Sequence, residues 1–363
     1  MVVDRLKVSS ILIVKDIAVV APLLKTLFLA SGGNIDSFRK LLAEFKPPFA
    51  AGMKVGIKLH WGEKGNRTYL PPLWAGEIVR WLKELGALPF VFDTTVLYSG
   101  GRRTGRDALD TAAEHGYSES LLGCPVVIAD GMDGRDIIEI PAGFKHFKSL
   151  SVASVINEAE GFVIFSHFKG HMEAGFGGAL KNISMGFSSR AQKQCMHADV
   201  YPELDAGKCT RCGDCISVCP VGAARFDGRG IPFYARDLCI GCGQCIAFCQ
   251  EEALRILWGE DNNAFQEKLV ETAASIWRVI GKRTVVINAL INIVAECDCL
   301  PGDPPPVLAP DYGFVGGYHP ALVDKKSLEI VGAAPFARAH PDISWERQFT
   351  YAKEIGYYPN ERC

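Results

Sequence analysis

The chain has 363 residues, of which 48% are hydrophobic and 22% charged, which excludes a disordered or fibrous protein. This length suggests roughly two to three domains. Lys and Arg number 39 and Asp and Glu number 41, so the formal net charge of −2 gives no electrostatic reason to expect nucleic-acid binding.

No apolar run reaches the roughly 18 residues needed to cross a bilayer. The best candidate, 11–30, is interrupted by Lys15, Asp16 and Lys25, and it lacks the layout of a cleavable signal. We therefore expect a cytoplasmic protein with no membrane span.

Strands and helices alternate along most of the chain. The apolar patterns predict strands at 55–60, 88–93, 125–130, 161–167 and 284–294, and helices at 72–85, 104–115, 264–280, 322–331 and 345–355. The segment 301–310 carries five prolines and is predicted to be an irregular loop. Such alternation is typical of an α/β fold, with a mostly parallel sheet flanked by helices.

Eight of the 13 cysteines lie in two similar stretches, each with the spacing C-x2-C-x2-C-x3-C. This is the spacing of bacterial two-cluster ferredoxins, in which the fourth cysteine of each stretch ligates the other cluster. We therefore expect Cys209, Cys212, Cys215 and Cys249 to hold one [4Fe–4S] cluster, and Cys239, Cys242, Cys245 and Cys219 to hold a second. Zinc and purely structural clusters are the weaker alternatives.

The cysteine segment interrupts the alternating strands and helices, which predicts an inserted ferredoxin domain. We place the first part of the α/β domain at 1–202, the ferredoxin domain at 203–258 and the second part at 259–363. The first stretch ends in Cys219-Pro220, whereas the second ends in Cys249-Gln250. This difference in the residue after the last cysteine bears on the reduction potential of the first cluster, which Cys249 is expected to ligate. The remaining cysteines Cys124, Cys195 and Cys363 have no partner pattern and are interpreted as structural, although Cys195 is close enough in sequence to the segment to face a cluster.

Several predicted strands end on polar residues, which would meet at one edge of a parallel sheet. The candidate catalytic residues are His60, Asp93, His167, Lys169 and His171, and the candidate extra metal ligands are Cys297 and Cys299. Each has a simple alternative: a loop histidine, a helix cap for Asp93, or small buried cysteines.

Basic residues near these strand ends suggest a small anionic substrate. The candidates are Lys58, Lys64, Arg67, Lys169 and Lys181. The glycine-rich stretch 175–181 looks like a turn that opens a helix, whose N-terminus would favour an anion, although a tight turn alone is the simpler explanation. The aromatic residues Trp74, Trp81 and Trp277 lie at helical core spacing.

Several motifs, including Lys58-Leu-His60-Trp-Gly-Glu63-Lys64-Gly65-Asn66, Ser166-His167-Phe-Lys169-Gly170-His171 and His319-Pro-Ala-Leu-Val-Asp324, resemble those of the domain of unknown function 362 family. Gly177-Gly178-Ala-Leu-Lys181-Asn182 and the Cys297-Asp298-Cys299 segment also fit. The resemblance covers nearly the whole chain. It implies an α/β domain fused to a two-cluster ferredoxin, mainly in anaerobic bacteria and archaea, and it implies no reaction.

The main functional hypothesis is an iron–sulfur oxidoreductase or electron-transfer protein that receives electrons from a soluble redox partner. The two clusters would pass them to a substrate or cofactor in the cleft. The sequence lacks a complete dinucleotide fingerprint, and it leaves open a flavin or an additional metal. The alternatives are a ferredoxin-type carrier without substrate turnover and a metal-binding or metallocofactor-assembly protein.

Overall fold

The computed structural model describes residues 27–98, 100–197, 202–236, 238–239, 243–255 and 261–359. Its longer helices are Ile35–Glu44, Pro72–Glu84, Gly105–Glu114, Ala179–Phe187, Arg190–His197, Asn262–Ile280, Pro320–Val331 and Arg347–Glu354. Shorter helices lie at Glu119–Leu122, Val155–Glu158, Asp214–Ser217, Gln244–Ala247 and Ala334–Ala339, and a 3-10 turn lies at Gly281–Arg283. Among the described residues, no helix combines the length and hydrophobicity needed to span a membrane.

The strands of the described ranges are short, and most lie before residue 200. In chain order they are β1 (Leu27–Ser31), β2 (Lys54–Lys58), β3 (Leu88–Asp93), β4 (Val126–Ile128), β5 (Ile137–Pro141), β6 (Ser149–Ala153), β7 (Gly161–His167), β8 (Lys169–His171), β9 (Gly175–Gly177), β10 (Glu203–Leu204), β11 (Ala224–Phe226), β12 (Pro232–Tyr234), β13 (Leu254–Arg255), β14 (Thr284–Leu290), β15 (Ile293–Val294), β16 (Val307–Ala309) and β17 (Gly313–Gly317). Seven of them form the central sheet, in the order β1–β17–β14–β7–β2–β3–β4.

The central sheet is mainly parallel, which confirms the predicted α/β fold. Strands β14, β7, β2, β3 and β4 run parallel, while β17 pairs antiparallel with both β14 and β1. The chain moves from β2 outward to β3 and β4, then returns to β7 on the other side of β2. The strand order therefore reverses between β2 and β7. Ligands of open α/β sheets bind beyond the carboxyl ends of the strands at such a point.

Both faces of the sheet are covered, which explains the continuous apolar runs of its central strands. In β7, Phe162 and Ile164 belong to one hydrophobic core, whereas Val163 and Phe165 belong to the core on the opposite face. All four side chains are almost fully buried. Alternate residues of a strand point to opposite faces, so a strand buried on both sides must be apolar at every position.

Most predicted elements are found within two residues of their expected bounds. The strand predicted at 284–294 is an exception, because β14 ends at Leu290 and the backbone of Asn292 adopts a left-handed conformation, with φ of 49°. A separate strand, β15, follows and pairs with β16, so the proline-rich segment 301–310 is not wholly irregular as predicted. Strands β1 and β17 were not predicted.

The cysteine segment lies outside the central sheet, and the described parts of its two cysteine stretches have similar local structure. Antiparallel pairing of β10 with β13 brings the two ends of the segment together. The short helices Asp214–Ser217 and Gln244–Ala247 each follow a glycine with positive φ, Gly213 and Gly243. Cys242 lies outside the described residues. The division of the chain at 202 and 258 stays a prediction.

The glycine-rich stretch opens the helix Ala179–Phe187, as expected, but the anion at its N-terminus belongs to the protein itself. The buried carboxylate of Asp324 accepts hydrogen bonds from the backbone amides of Ala179, at 2.7 Å, and Leu180, at 2.9 Å, and from the Asn288 side chain, at 2.7 Å. Burial raises the pKa of Asp324 to about 6, and these three hydrogen bonds oppose the rise. This N-terminus is therefore not free for a substrate anion.

We expect Asp324→Ala to lower the free energy of unfolding by about 2–4 kcal/mol, because three buried donors lose their acceptor. Anaerobic urea unfolding at pH 7, followed by tryptophan fluorescence, measures the change. Asp342→Ala, at an exposed position, is the matched control and should have little effect. Equal stabilities of the two variants would contradict the capping role.

Candidate functional site

A cavity of about 490 Å³ lies at the carboxyl ends of β2 and β7, where the strand order reverses. Its lining includes all the candidate residues at the strand ends: His60, Asp93, His167, Lys169, His171, Cys297 and Cys299. The fold brings these side chains together from positions as far apart as His60 and Cys299, whose Nε2 and Sγ atoms lie 3.5 Å apart.

A buried ion pair lies at the base of this cavity. The Lys58 ammonium, at 1% exposure, lies 3.0 Å from Asp93 and donates to the Asn182 side chain at 2.9 Å. Burial lowers the pKa of Lys58, and the Asp93 charge opposes this effect. A Cβ atom at Gly186 would lie 1.8 Å from Lys58 Cε, so the helix Ala179–Phe187 needs glycine where the lysine side chain crosses it.

Asp93 also fixes the ring of His60. Its Oδ2 atom lies 2.9 Å from His60 Nδ1, and the Arg102 guanidinium lies beside both groups. Burial favours a neutral Asp93, but the charge of Lys58 and the hydrogen bond from His60 dominate and hold the pKa of Asp93 well below its usual range. An ionised carboxylate at this distance requires a proton on Nδ1, which leaves the Nε2 lone pair facing the cavity. Burial, then Arg102, lowers the pKa of His60.

A second buried carboxylate, Asp298, holds the Cys-Asp-Cys loop against the end of β7. It is fully buried, forms an ion pair with Lys169, lies 3.0 Å from His167 Nδ1 and accepts a hydrogen bond from the Thr68 hydroxyl at 2.8 Å. Burial opposes ionisation, yet the Lys169 and His167 charges keep the pKa of Asp298 well below its usual range. The backbone carbonyl of Asp298 also accepts from the amide of Glu63 at 2.8 Å.

Both ring nitrogens of His167 are already engaged. Nε2 lies 2.9 Å from the carbonyl of Ile291 and 3.0 Å from that of Asn292, and Nδ1 faces Asp298. We therefore interpret His167 and Lys169 as residues that position the cysteine loop. His171 is buried, and its Nδ1 accepts from two backbone amides, so it is a neutral cavity wall residue, in keeping with a pKa that burial lowers well below the usual value.

The loop places Cys297 and Cys299 beside His60. The two Sγ atoms lie 3.0 Å apart, and Cys297 accepts hydrogen bonds from the Lys181 ammonium, at 3.0 Å, and from the Cys299 amide, at 3.4 Å. Two donors on one sulfur favour the thiolate form of Cys297. The hydrogen bond between the thiols is the main reason that the pKa of Cys297 lies well below, and that of Cys299 well above, the ordinary value. Metal ligands of this type would have to be thiolates.

One family model, the domain of unknown function DUF362, matches residues 55–329 of the chain. The chain belongs to the DUF362 family. The match begins within β2 and ends within the helix Pro320–Val331, so it includes the cavity, the cysteine segment and Asp324. The resemblance seen in the sequence motifs is thereby confirmed for the family, while the inserted cluster domain stays a prediction.

Comparison with curated proteins gives no match. Among solved structures, the chain is similar to the lactate racemase apoprotein from Thermoanaerobacterium thermosaccharolyticum, at 15% identity and a TM-score of 0.32, over 75% of this chain and 48% of that one. A crystal structure of a Thermotoga maritima protein matches at 11% identity and a TM-score of 0.43, over 90% of this chain and 61% of that one. The chain thus spans less than two thirds of the length of either structure.

Not every basic residue that sequence reasoning singled out lines the cavity of this DUF362 protein. Lys64 is exposed and lies 3.6 Å from Glu114, and Arg67 is exposed, so neither is placed as an anion-binding residue. Lys58 and Lys169 each face a carboxylate, and Lys181 faces a thiol. Those contacts reduce the positive charge left for a substrate.

Sequence reasoning missed Lys193 and assigned no role to Arg102 or Asp298. Lys193 lines the cavity, and its ammonium donates to the Thr94 hydroxyl, at 2.6 Å, and to the Thr95 carbonyl, both neutral groups. Burial lowers the pKa of Lys193 to about 8, and Asp130 opposes the shift. The position of Asp298 between two cysteines is a sequence signal that could have identified it as a site residue. Lys193 and Arg102 lie in no recognisable motif, so the sequence offers no such signal for them.

We expect Asp298→Asn to lower the free energy of unfolding at pH 7 by about 3–5 kcal/mol, since it leaves the buried Lys169 ammonium without its carboxylate. Folding lowers the pKa of Asp298, so the ionised carboxylate stabilises the folded protein. This stabilisation is fully present above the pKa that Asp298 has in the unfolded chain, and it is lost as the pH falls through the lower pKa of the folded protein. The variant should therefore also lose less stability on acidification.

Anaerobic urea titrations of the two proteins at a series of pH values measure both effects. Asp303→Asn is the matched control, because Asp303 is exposed a few residues further along the chain. A wild-type-like stability of Asp298→Asn at pH 7 would show that the carboxylate does not secure the loop.

Proposed function

We propose that this DUF362 protein is an iron–sulfur oxidoreductase that carries electrons through two [4Fe–4S] clusters to a small substrate in the cavity. The observation that carries the proposal is the position of the helix Arg190–His197. Lys193, Gln194 and His197 line the cavity, while Cys195, on the same helix, packs beside the cluster cysteines Cys215, Cys245 and Cys249. One helix thus forms the wall between the cysteine segment and the cavity.

The surroundings of the cysteines fit the proposed cluster ligands. Burial raises the pKa of Cys215 and a hydrogen bond with Tyr234 opposes the rise, while Cys212, Cys249 and Cys209, the other three ligands assigned to its cluster, are close enough to raise it further. Cys215 of the first stretch and Cys249, the last cysteine of the second, also belong to one hydrophobic cluster, which fits a ferredoxin.

Backbone amides also point to the last sulfur of each stretch. Ala223 and Ala224 donate to Cys219 Sγ at 3.2 and 3.4 Å, and Ala253 donates to Cys249 Sγ at 3.3 Å. Hydrogen bonds of this kind stabilise thiolates and help to set the potential of a bound cluster. Bound clusters would supply one-electron steps, and the cavity residues would bind the substrate and handle protons.

Lys193 supports an anionic substrate. Within the described residues its ammonium hydrogen-bonds to a hydroxyl and a carbonyl rather than to a carboxylate, and it lies one helix position from Gln194 and two from Cys195. A carboxylate or phosphate bound there would lie against the helix through which the electrons arrive. A ferredoxin-type carrier has no need of such a cavity, which favours the catalytic proposal.

The cluster assignment predicts about eight irons and eight sulfides per chain after anaerobic purification or reconstitution. Cys249→Ser should lose one cluster and Cys219→Ser the other, each removing about four irons. Cys124→Ser, at a buried cysteine outside the segment, should leave the iron content unchanged. Iron, sulfide and zinc analysis measures this, and zinc in place of iron in the wild type would overturn the assignment.

Substrate turnover can be tested without knowing the substrate. Dithionite-reduced protein is mixed with a panel of small carboxylates, phosphates and sulfur oxyanions, and cluster reoxidation is followed by electron paramagnetic resonance. Lys193→Met should slow reoxidation by an active compound at least tenfold, because the anion loses its cationic partner. Electron exchange with a viologen dye at the surface should be unchanged.

Met172→Trp is a second variant, because Met172 is half-exposed and lines the cavity, so a larger side chain there narrows the space without disturbing the core. It should slow reoxidation by the same compound and leave dye exchange intact. If no compound reoxidises the wild type faster than these variants, the chain is better described as an electron carrier.

A further inference from the structure

The cavity contains a set of nitrogen and sulfur atoms that is independent of the eight cluster cysteines. One ligand atom from each of His60, Cys297 and Cys299 lies within 4.8 Å of the others. We propose that these three residues bind a single zinc-type divalent cation, whose fourth coordination position faces the cavity. This site goes beyond the proposed function, since it requires neither the clusters nor their electron transfer.

The orientation of His60 is that of a metal ligand. Its Nδ1 atom is held by Asp93 at 2.9 Å, so its Nε2 atom is the one directed at Cys299, 3.5 Å away. Histidines that bind metals almost always donate their other ring nitrogen to a carboxylate, carbonyl or water, which fixes the ring and raises its basicity. Asp93 is itself fixed by Lys58 at 3.0 Å, so the histidine has little freedom to turn.

The two cysteines are positioned by the loop that carries them. Asp298 lies between them, fully buried, and its contacts with Lys169, His167 and Thr68 hold the loop so that both flanking sulfurs lie on the cavity side, 3.0 Å apart. Cys297 is largely buried and Cys299 partly exposed. A site whose ligands are fixed before the metal arrives loses little conformational freedom on binding.

The donor set selects the class of metal. Two thiolates and one imidazole suit zinc and other thiophilic ions, whereas magnesium and calcium prefer oxygen ligands. Structural zinc sites have four protein ligands, while catalytic ones have three and keep one position for water or substrate. Among the described residues, three ligand atoms meet here.

Charge then indicates what the fourth position would bind. The two thiolates neutralise a divalent ion, and two cationic groups lie beside the ligands: the Lys181 ammonium, 3.0 Å from Cys297, and the Arg102 guanidinium, 3.2 Å from His60. Arg102 is also paired with Glu63 at 3.1 Å, so Lys181 is the cation that an anionic oxygen or sulfur donor at the fourth position would face. The same chemistry fits the small anionic substrate proposed above, but the metal site does not depend on it.

Cluster-loaded full-length protein is purified anaerobically, treated with one equivalent of Zn²⁺ or Co²⁺, desalted and analysed for metals. We expect about one Zn²⁺ per chain beyond the cluster iron, with no change in iron or sulfide. The Co²⁺ form should show the intense visible bands of thiolate-bound tetrahedral cobalt. The double variant Cys297→Ser/Cys299→Ser should bind at least tenfold less of either ion and keep its iron.

His60→Ala should weaken Zn²⁺ binding to a similar extent, and Asp93→Asn should weaken it by about 10–100-fold through loss of the histidine's partner. Cys124→Ser is the control with an unrelated buried cysteine, and it should bind Zn²⁺ like the wild type. The unchanged iron content of each variant shows that it has folded. Low iron in the wild type, with zinc still bound through Cys297 and Cys299, would overturn the cluster proposal and not this one.

Three results would overturn the metal site. The wild type could retain no ion beyond the cluster iron, the double variant could retain as much as the wild type, or the additional metal could be iron accompanied by extra sulfide. A Cys297–Cys299 disulfide found by mass spectrometry in protein kept strictly anaerobic would also count against the site, because it would remove both thiolates.

Discussion

The geometry of the cavity depends on the burial of the Asp298 carboxylate. A fully buried negative charge is tolerated only with close partners, and Lys169 and His167 at the end of β7 supply them. This interaction ties the loop after β15 to the centre of the sheet, and thereby fixes Cys297 and Cys299 next to His60. The histidine and lysine that looked like catalytic groups in the sequence are better explained as the partners of this one carboxylate.

Asp93 is a second buried carboxylate with a lysine partner, on the neighbouring strands. It lies at the end of β3 and forms an ion pair with Lys58 at the end of β2, so a buried ion pair joins the carboxyl ends of two adjacent parallel strands. The same carboxylate orients His60. Because the order of the strands reverses between β2 and β7, the sheet leaves a crevice at this point, and two buried carboxylates with their cations form its base.

The helix Arg190–His197 connects this crevice with the cysteine segment. Its residues contact the cavity on one side and the cysteines on the other, so a bound substrate and the proposed clusters would be neighbours rather than occupants of separate domains. The proposed zinc-type site lies in the same cavity, on the Cys-Asp-Cys loop. The structure thus provides two separate groups of thiols, of which one has the spacing of a ferredoxin and the other has a histidine partner.

The sequence by itself determined the local features: the alternating strands and helices, the cysteine spacing and the polar residues at the strand ends. Periodicity and spacing are properties of short stretches, so they can be read without the fold. Only the tertiary structure decided which of those residues meet. It paired Asp298 with His167 and Lys169, which lie 131 and 129 positions earlier in the chain. It also placed the Asp324 carboxylate at the helix N-terminus that was expected to bind a substrate anion, and it placed Lys193 in the cavity. These pairings depend on strand order and on which charges are buried together, and neither is encoded in a local pattern.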